Sequence, residues 1–271
     1  MLLRMERAFL LVPEAVLLAA LLCIYTVWPD PLIALLVALL VIGFIVRAAA
    51  LHMARAAIER GRVAEASALL KVALWLNPWS PDAQALEGML ALMNGAPTLA
   101  AMRLRRAIAL LPWQPAFHAA LSGALLELGQ PAEAAQVAHV ALVLDPRCAV
   151  AHLHLAEAER ARGAAGQLVE DQLRAGLAAE PPPAAEAVIR CVLAAHLLAQ
   201  QRIAEAMLTL HGAEALLPRC PAPSQAMLRL HLGEILLTQG QLERAQEHLQ
   251  SAAALDPHGR YAAVAWRAAQ L

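Results

Sequence analysis

Aromatic side chains are scarce in this sequence: Phe, Trp and Tyr make up 4% of its 271 residues. Charged side chains are also few, at 16%. Apolar character comes mainly from Ala and Leu, the strongest helix formers, with little β-favouring content, so the composition predicts an all-α chain. Neither sign of charge is in surplus; the formal net charge is -1. A phosphate backbone is bound by clustered cations, so nucleic acid is not an expected partner. The cysteines are Cys23, Cys148, Cys191 and Cys220, with no CxxC spacing, which argues against both a zinc site and a disulfide framework. HExxH, a nucleotide-binding glycine loop and a nucleophile motif are lacking. His152 and His154 stand two apart and do not share a helix face. His154 with Glu157, and His231 with Glu234, do share one. Without a wider ligand set, these pairs read as groove-lining polar residues. No cofactor, metal or catalytic residue is expected, and the chain reads as a non-enzyme.

Hydrophobicity is what the chain has in abundance, at 60% of residues and a mean hydropathy of +0.55. Residues 9–28 form an apolar stretch interrupted only by Pro13, Glu14 and Thr26. That is about the length that crosses a bilayer core of roughly 30 Å. Residues 32–46 form a second run without charge. As a helix it rises about 22 Å, so it spans if Arg47 snorkels or the helix begins in the preceding loop. Between the runs, Pro29, Asp30 and Pro31 follow Trp28, and paired prolines end one helix and open the next. The expectation is a transmembrane hairpin over residues 1–46, in contact with membrane lipid. Arg4 and Arg7 precede it, Arg47, Arg55, Arg60 and Arg62 follow, and the loop has no Lys or Arg. The positive-inside rule then puts both termini and all that follows in the cytoplasm of a bacterial inner membrane. A signal peptide cut after Arg47 is the competing reading, against which the second run and the proline hinge argue. Glu14 has two readings, a partner-helix contact or a carboxylate reaching the headgroups.

Beyond the hairpin the sequence repeats itself. Gly61, Gly129 and Gly240 each open a similar hexapeptide, each followed by a spaced alanine (Ala73, Ala141, Ala252) and a proline. Pro78, Pro112 and Pro146 recur at a spacing of 34. Gly95 marks an intermediate copy; Gln201 replaces the glycine in another; a weaker one runs through Gly163 to Pro181. This resembles the tetratricopeptide repeat (TPR) family, whose period is 34. The family's early tryptophan and tyrosine are absent. Gly88 and Gly233 hold its first-helix glycine place, with Ala54, Ala156 and Ala194 as substitutes. Leu70, Leu104, Leu210 and Leu249 replace its later aromatic.

The resemblance implies an all-α solenoid over residues 47–271 with about six helix pairs, near 47–80, 81–114, 115–148, 149–182, 187–220 and 226–259. A capping helix would follow at 260–271. Prolines at 181–183 and 218–223 interrupt the strict period, either shaping a docking surface or marking tolerated insertions. No breaker lies between Leu32 and Glu59, so the second span is expected to run into the first repeat without a joint.

In the TPR family the first helices of the pairs line a concave groove. The resemblance places Leu51, Arg55, Ala85, Met89, Ala119, Gly123, Leu153, Glu157, Cys191, Ala195, Leu230 and Glu234 on that face. It is mostly apolar and lacks the Lys and Asn that chaperone-binding members use on a peptide carboxylate. It suits an amphipathic helix or an extended apolar segment, unless the superhelix fills it with its own side chains. In outline, two short spans and a cytoplasmic TPR array resemble the TPR subunit of Pel-type exopolysaccharide synthesis. That implies a biofilm-matrix scaffold partnering a membrane-bound cyclic-di-GMP receptor and helping to assemble a glycosyltransferase and a transporter. HemY-like inner-membrane TPR proteins share the outline, with a more Arg-rich segment after their spans. An accessory subunit of an energy-converting or secretion complex would read the same. The partners are proteins; a homo-oligomer through the hairpin or the solenoid edge is compatible with Ala-rich spans and apolar TPR ends.

Overall fold

The computed structural model describes residues 13–255. The start of the first apolar stretch, Arg4, Arg7, Pro257, the 260–271 cap and the side chain of Glu14 lie outside the described residues. The described chain is all helical. Its elements are α1 (Pro13–Val27), α2 (Pro31–Glu59), α3 (Val63–Leu76), α4 (Pro81–Met93), α5 (Pro97–Leu110), α6 (Pro115–Glu127) and α7 (Pro131–Leu144). They continue with α8 (Ala149–Ala161), α9 (Gly166–Ala178), α10 (Pro183–Ala199), α11 (Ile203–Glu214), a 3₁₀ turn (Leu217–Arg219), α12 (Ala222–Thr238) and α13 (Leu242–Leu255).

Prolines punctuate this pattern twice over. One set (Pro78, Pro112, Pro146) lies between the pairs and stops the second helix. Another (Pro31, Pro81, Pro97, Pro115, Pro131, Pro183) sits at helix starts, where the missing N–H costs nothing and the fixed φ suits the first turn. Asp30 caps α2 by accepting from the Leu32 amide at 2.7 Å. Within the pairs the backbone turns through left-handed residues. These are glycines in five pairs, among them Gly61 at φ 72° and Gly129 at φ 69°, and Gln201 at φ 63° in the fifth pair of the series.

Five of the six pairs close on one small-to-large contact. Ala54, Gly88, Ser122, Ala156, Ala194 and Gly233 occupy the first helices, all buried. Leu70, Leu104, Leu173, Leu210 and Leu249 face them from the second helices, all at most 1% exposed; Ala138 takes this place opposite Ser122. The fit is tight: a Cβ on Gly88 would stand 2.8 Å from Leu104 Cγ, and one on Gly233 2.6 Å from Leu249 Cγ. Leucine here fills the volume that an aromatic would, which is how an aromatic-poor chain builds a close-packed core.

Helix α2 runs unbroken for 29 residues. Its first half presents exposed apolar side chains, and its second half buries Arg47, Ala50, Ala54 and Ala57 against the repeats. Among the described residues it is the one helix long and apolar enough to cross a membrane. The described part of α1 has 15 residues and falls short of that length by itself, so a two-span hairpin is not established by the fold.

The irregular region resolves into longer helices. Where α4, α6 and α8 have 13 residues, α10 and α12 have 17. Measured from Ala194 and Gly233, the extra residues form one added turn at the N-terminal end of each. The prolines at 181–183 and 218–223 therefore reset where the first helix starts, and do not merely lengthen a loop.

Candidate functional site, a cleft between first helices

The longer helices frame an open cleft. Glu157 and Arg160 of α8, Cys191, Val192, Ala195, His196 and Ala199 of α10, and His231, Glu234 and Ile235 of α12 line a cavity of about 250 Å³. It continues along α10 and α12 past Leu198 to Thr238 and Gln239. Its floor is apolar and its rim mixes carboxylates, a guanidinium and imidazoles.

The residues predicted for the groove divide by burial. Glu157, Cys191, Ala195 and Glu234 come together around this cleft. Ala85, Ala119, Leu153 and Leu230 are buried, at 4%, 2%, 6% and 4% exposure. Ala85 packs with Phe117 and Leu121, Ala119 with Ala151 and Leu153 with Leu193, each between adjacent first helices, whereas Leu230 packs on Leu249, Ala252 and Ala253 of α13. Leu51 is half-buried, Arg55 and Met89 are exposed, and all three belong to the first two repeats, away from the cleft. Around Gly123 the face is filled: the His154 ring occupies the space a Cβ would need, at 2.7 Å. The face is thus filled by His154 at the third pair and open as a cleft between α8, α10 and α12. Pro29 and Asp30 lie in the short turn between α1 and α2, and Pro31 is the first residue of α2.

His154 is a packing residue. Its Nδ1–H donates to the Ala119 carbonyl at 2.9 Å and lies 3.0 Å from Ser122 Oγ, whose hydroxyl also donates to Ala119 at 2.7 Å. Burial pushes its pKa below the usual histidine range, so the ring is neutral at physiological pH. Cys191, in the cleft wall, has its thiol pushed up to about 12 by burial, with the nearby Glu214 acting in the same direction. A thiol so protonated is a poor nucleophile. His231 and Glu234 stand 3.6 Å apart on the rim. Among the described residues no group of three His, Cys, Asp or Glu side chains converges as a metal site.

Sequence reasoning missed a recurring lock between turn and helix. Gln84 Nε2 donates to the Pro78 carbonyl at 3.0 Å; His118 Nε2 meets Pro112 O at 2.8 Å and His152 Nε2 meets Pro146 O at 3.1 Å. Gln225 does the same to the Cys220 carbonyl at 2.8 Å. The signal was present as Gln or His in the first turn of four of the first helices, three of them spaced by 34.

No protein-family model and no curated protein matches the sequence. Solved structures do. The Cut9 subunit complex of the APC/C (Cut9–Hcn1 hetero-tetramer) superposes with a TM-score of 0.62 at 16% identity, covering 81% of this chain and 41% of that one. PilW, a widely conserved type IV pilus biogenesis factor, gives 0.56 at 19% identity over 82% of this chain and 98% of its own. An O-GlcNAc transferase of Thermobaculum terrenum is 31% identical over 49% of this chain, with a TM-score of 0.45; the chain spans about a quarter of its length, 26%. Together with the 34-residue period and the paired helices, the first two likenesses define the class of fold: the chain is a TPR-type helical solenoid.

Proposed function

We propose that this protein is a membrane-anchored scaffold whose cleft between α8, α10 and α12 holds an apolar helix or extended segment of a partner subunit. One observation carries the reading: α2 passes without a joint from an exposed apolar run into the first repeat. An exposed apolar surface of this length is stable in lipid and not in water. In this reading α1, with residues before it, forms the second span, both termini are cytoplasmic, and the hairpin packs against other membrane subunits and lipid. A cleft with an apolar floor and polar rim suits an amphipathic helix. Pel-type exopolysaccharide assembly, which the chain resembles in outline, is the system proposed for it. An assembly role in another membrane machine is the second reading, favoured by the likeness to PilW, itself a pilus biogenesis factor.

The test is co-purification in mild detergent, with full-length protein, a form lacking residues 1–46, and the variant Ala195→Arg. Ala195 is exposed on the cleft floor, so the arginine blocks the cleft without entering the core. The expected result is a polysaccharide synthase, exporter or cyclic-di-GMP receptor retained by the full chain and lost with Ala195→Arg at unchanged thermal stability. Other membrane machinery in its place overturns the Pel-type assignment. Retention by Ala195→Arg of everything the wild type holds overturns the cleft.

A further inference from the structure

The membrane-anchored reading leaves three exposed tryptophans unexplained, in a chain where aromatics are rare. Trp75 is 81% exposed, Trp79 64% and Trp113 38%. Resting on that reading, we propose that they form one edge of the solenoid lying in the membrane–water interface, with the bilayer itself as the ligand.

The placement follows from the packing of α2 and α3. The apolar run on α2 ends at Arg47, whose guanidinium sits 5.3 Å from the Phe44 ring centroid. Helix α3 returns antiparallel to α2, and Ala50 clusters with Ala73 beside Leu74. Continuing along α3 from that level moves back toward Arg47. Trp75 and then Trp79 therefore stand where the span meets the headgroup layer. Trp79 is held in place: its amide donates to the buried Asn77 side chain at 2.9 Å.

Trp113 holds the same place one repeat later, 34 residues on, in the turn after α5. In the following turn that position is Arg147, with its side chain 72% exposed. The aromatic side chain is thus confined to the two turns nearest the anchor. At the far end of the apolar run stands Trp28, 71% exposed in the turn before α2. Trp28 on one side and Trp79 on the other bracket residues 32–46. An indole is amphipathic, with a broad apolar face and one N–H, and it partitions to the headgroup level at both faces of a membrane. The charges around the edge are mixed, with Lys71 and Arg106 against Asp82, all exposed. Burial of the indoles, and not attraction to anionic lipid, is the driving term, so neutral phosphatidylcholine is the expected surface.

The experiment uses the full-length protein reconstituted in phosphatidylcholine nanodiscs, with bromine on the acyl carbons nearest the headgroup. Trp28→Phe with Trp266→Phe leaves Trp75, Trp79 and Trp113 as reporters. A second protein keeps only Trp28 and reports insertion of the span. The expected result is emission at least about twofold lower in brominated than in plain lipid for both proteins, as for interfacial indoles. Quenching of Trp28 alone overturns the edge and leaves the anchor standing, with a protein partner then the natural cover for the tryptophans. Quenching of neither overturns both.

Discussion

At the scale of single residues, small side chains set how closely the helices approach. A methyl group on Gly233 would meet Leu249 Cγ at 2.6 Å and the Ala245 carbonyl at 3.3 Å. The backbone oxygen cannot swing aside, so Gly233→Ala is expected to cost about 1–3 kcal/mol through overpacking. Thermal unfolding followed by circular dichroism measures it, with Gly43→Ala as the control because nothing lies within 4 Å of that position. Glu170 is the second residue with a decisive environment. Burial raises its pKa, but hydrogen bonds from Arg202 and Arg174 outweigh that and hold the carboxyl below its ordinary range. The folded state thus binds this proton more weakly than the unfolded chain. The stability it contributes is complete above the ordinary glutamate range and is lost as pH falls through the depressed folded value. In Glu170→Gln the midpoint should fall by several degrees at neutral pH, and the gap to wild type should narrow in acid. A gap that stays constant down the pH scale would show that the charge has no part in it.

At the scale of elements, the lock between proline carbonyl and first-turn side chain explains why Gln stands at position 84 and His at 118 and 152. Both reach back six residues and both present an N–H donor. His118→Leu strips the Pro112 carbonyl of its partner, a loss of about 1 kcal/mol in a typical case, and His118→Gln should restore it. The two midpoints, measured side by side, decide the point. The repeats themselves were legible in the sequence because proline and positive-φ glycine are local requirements that do not depend on neighbours. Gln201 was legible as a glycine substitute from its spacing alone. The open and filled parts of the groove were not. Whether His154 fills the space over Gly123 depends on a side chain one repeat away. Whether Ala195 is open depends on the extra turns of α10 and α12, which the sequence shows only as a stretched period. Ser122, in the first-helix series of small residues, and Leu173, in the second-helix series of leucines, were hidden by a hydroxyl and by the altered turn at Gly163.

At the scale of the whole molecule, the joint that is missing from α2 matters most. Ala49→Pro would introduce one, since proline in a helix interior removes a hydrogen bond and clashes with the preceding turn, at about 3 kcal/mol. The expected outcome is that the variant still resists extraction from the membrane with carbonate while quenching of Trp79 and Trp113 by brominated lipid weakens. Unchanged quenching would mean that the tryptophans find the interface without help from α2. Inter-repeat ion pairs, Arg105 to Glu133 at 2.8 Å, Arg202 to Glu170 at 2.7 Å and Arg244 to Glu214 at 2.7 Å, tie successive pairs together beyond that point. An unjointed α2 behaves as an axle: any turn of the span about its own axis is also a turn of the array. Under the proposed function, a subunit gripping the apolar half and a subunit seated in the cleft would be keyed to one shaft, with the compass bearing between them written into the chain before either arrives.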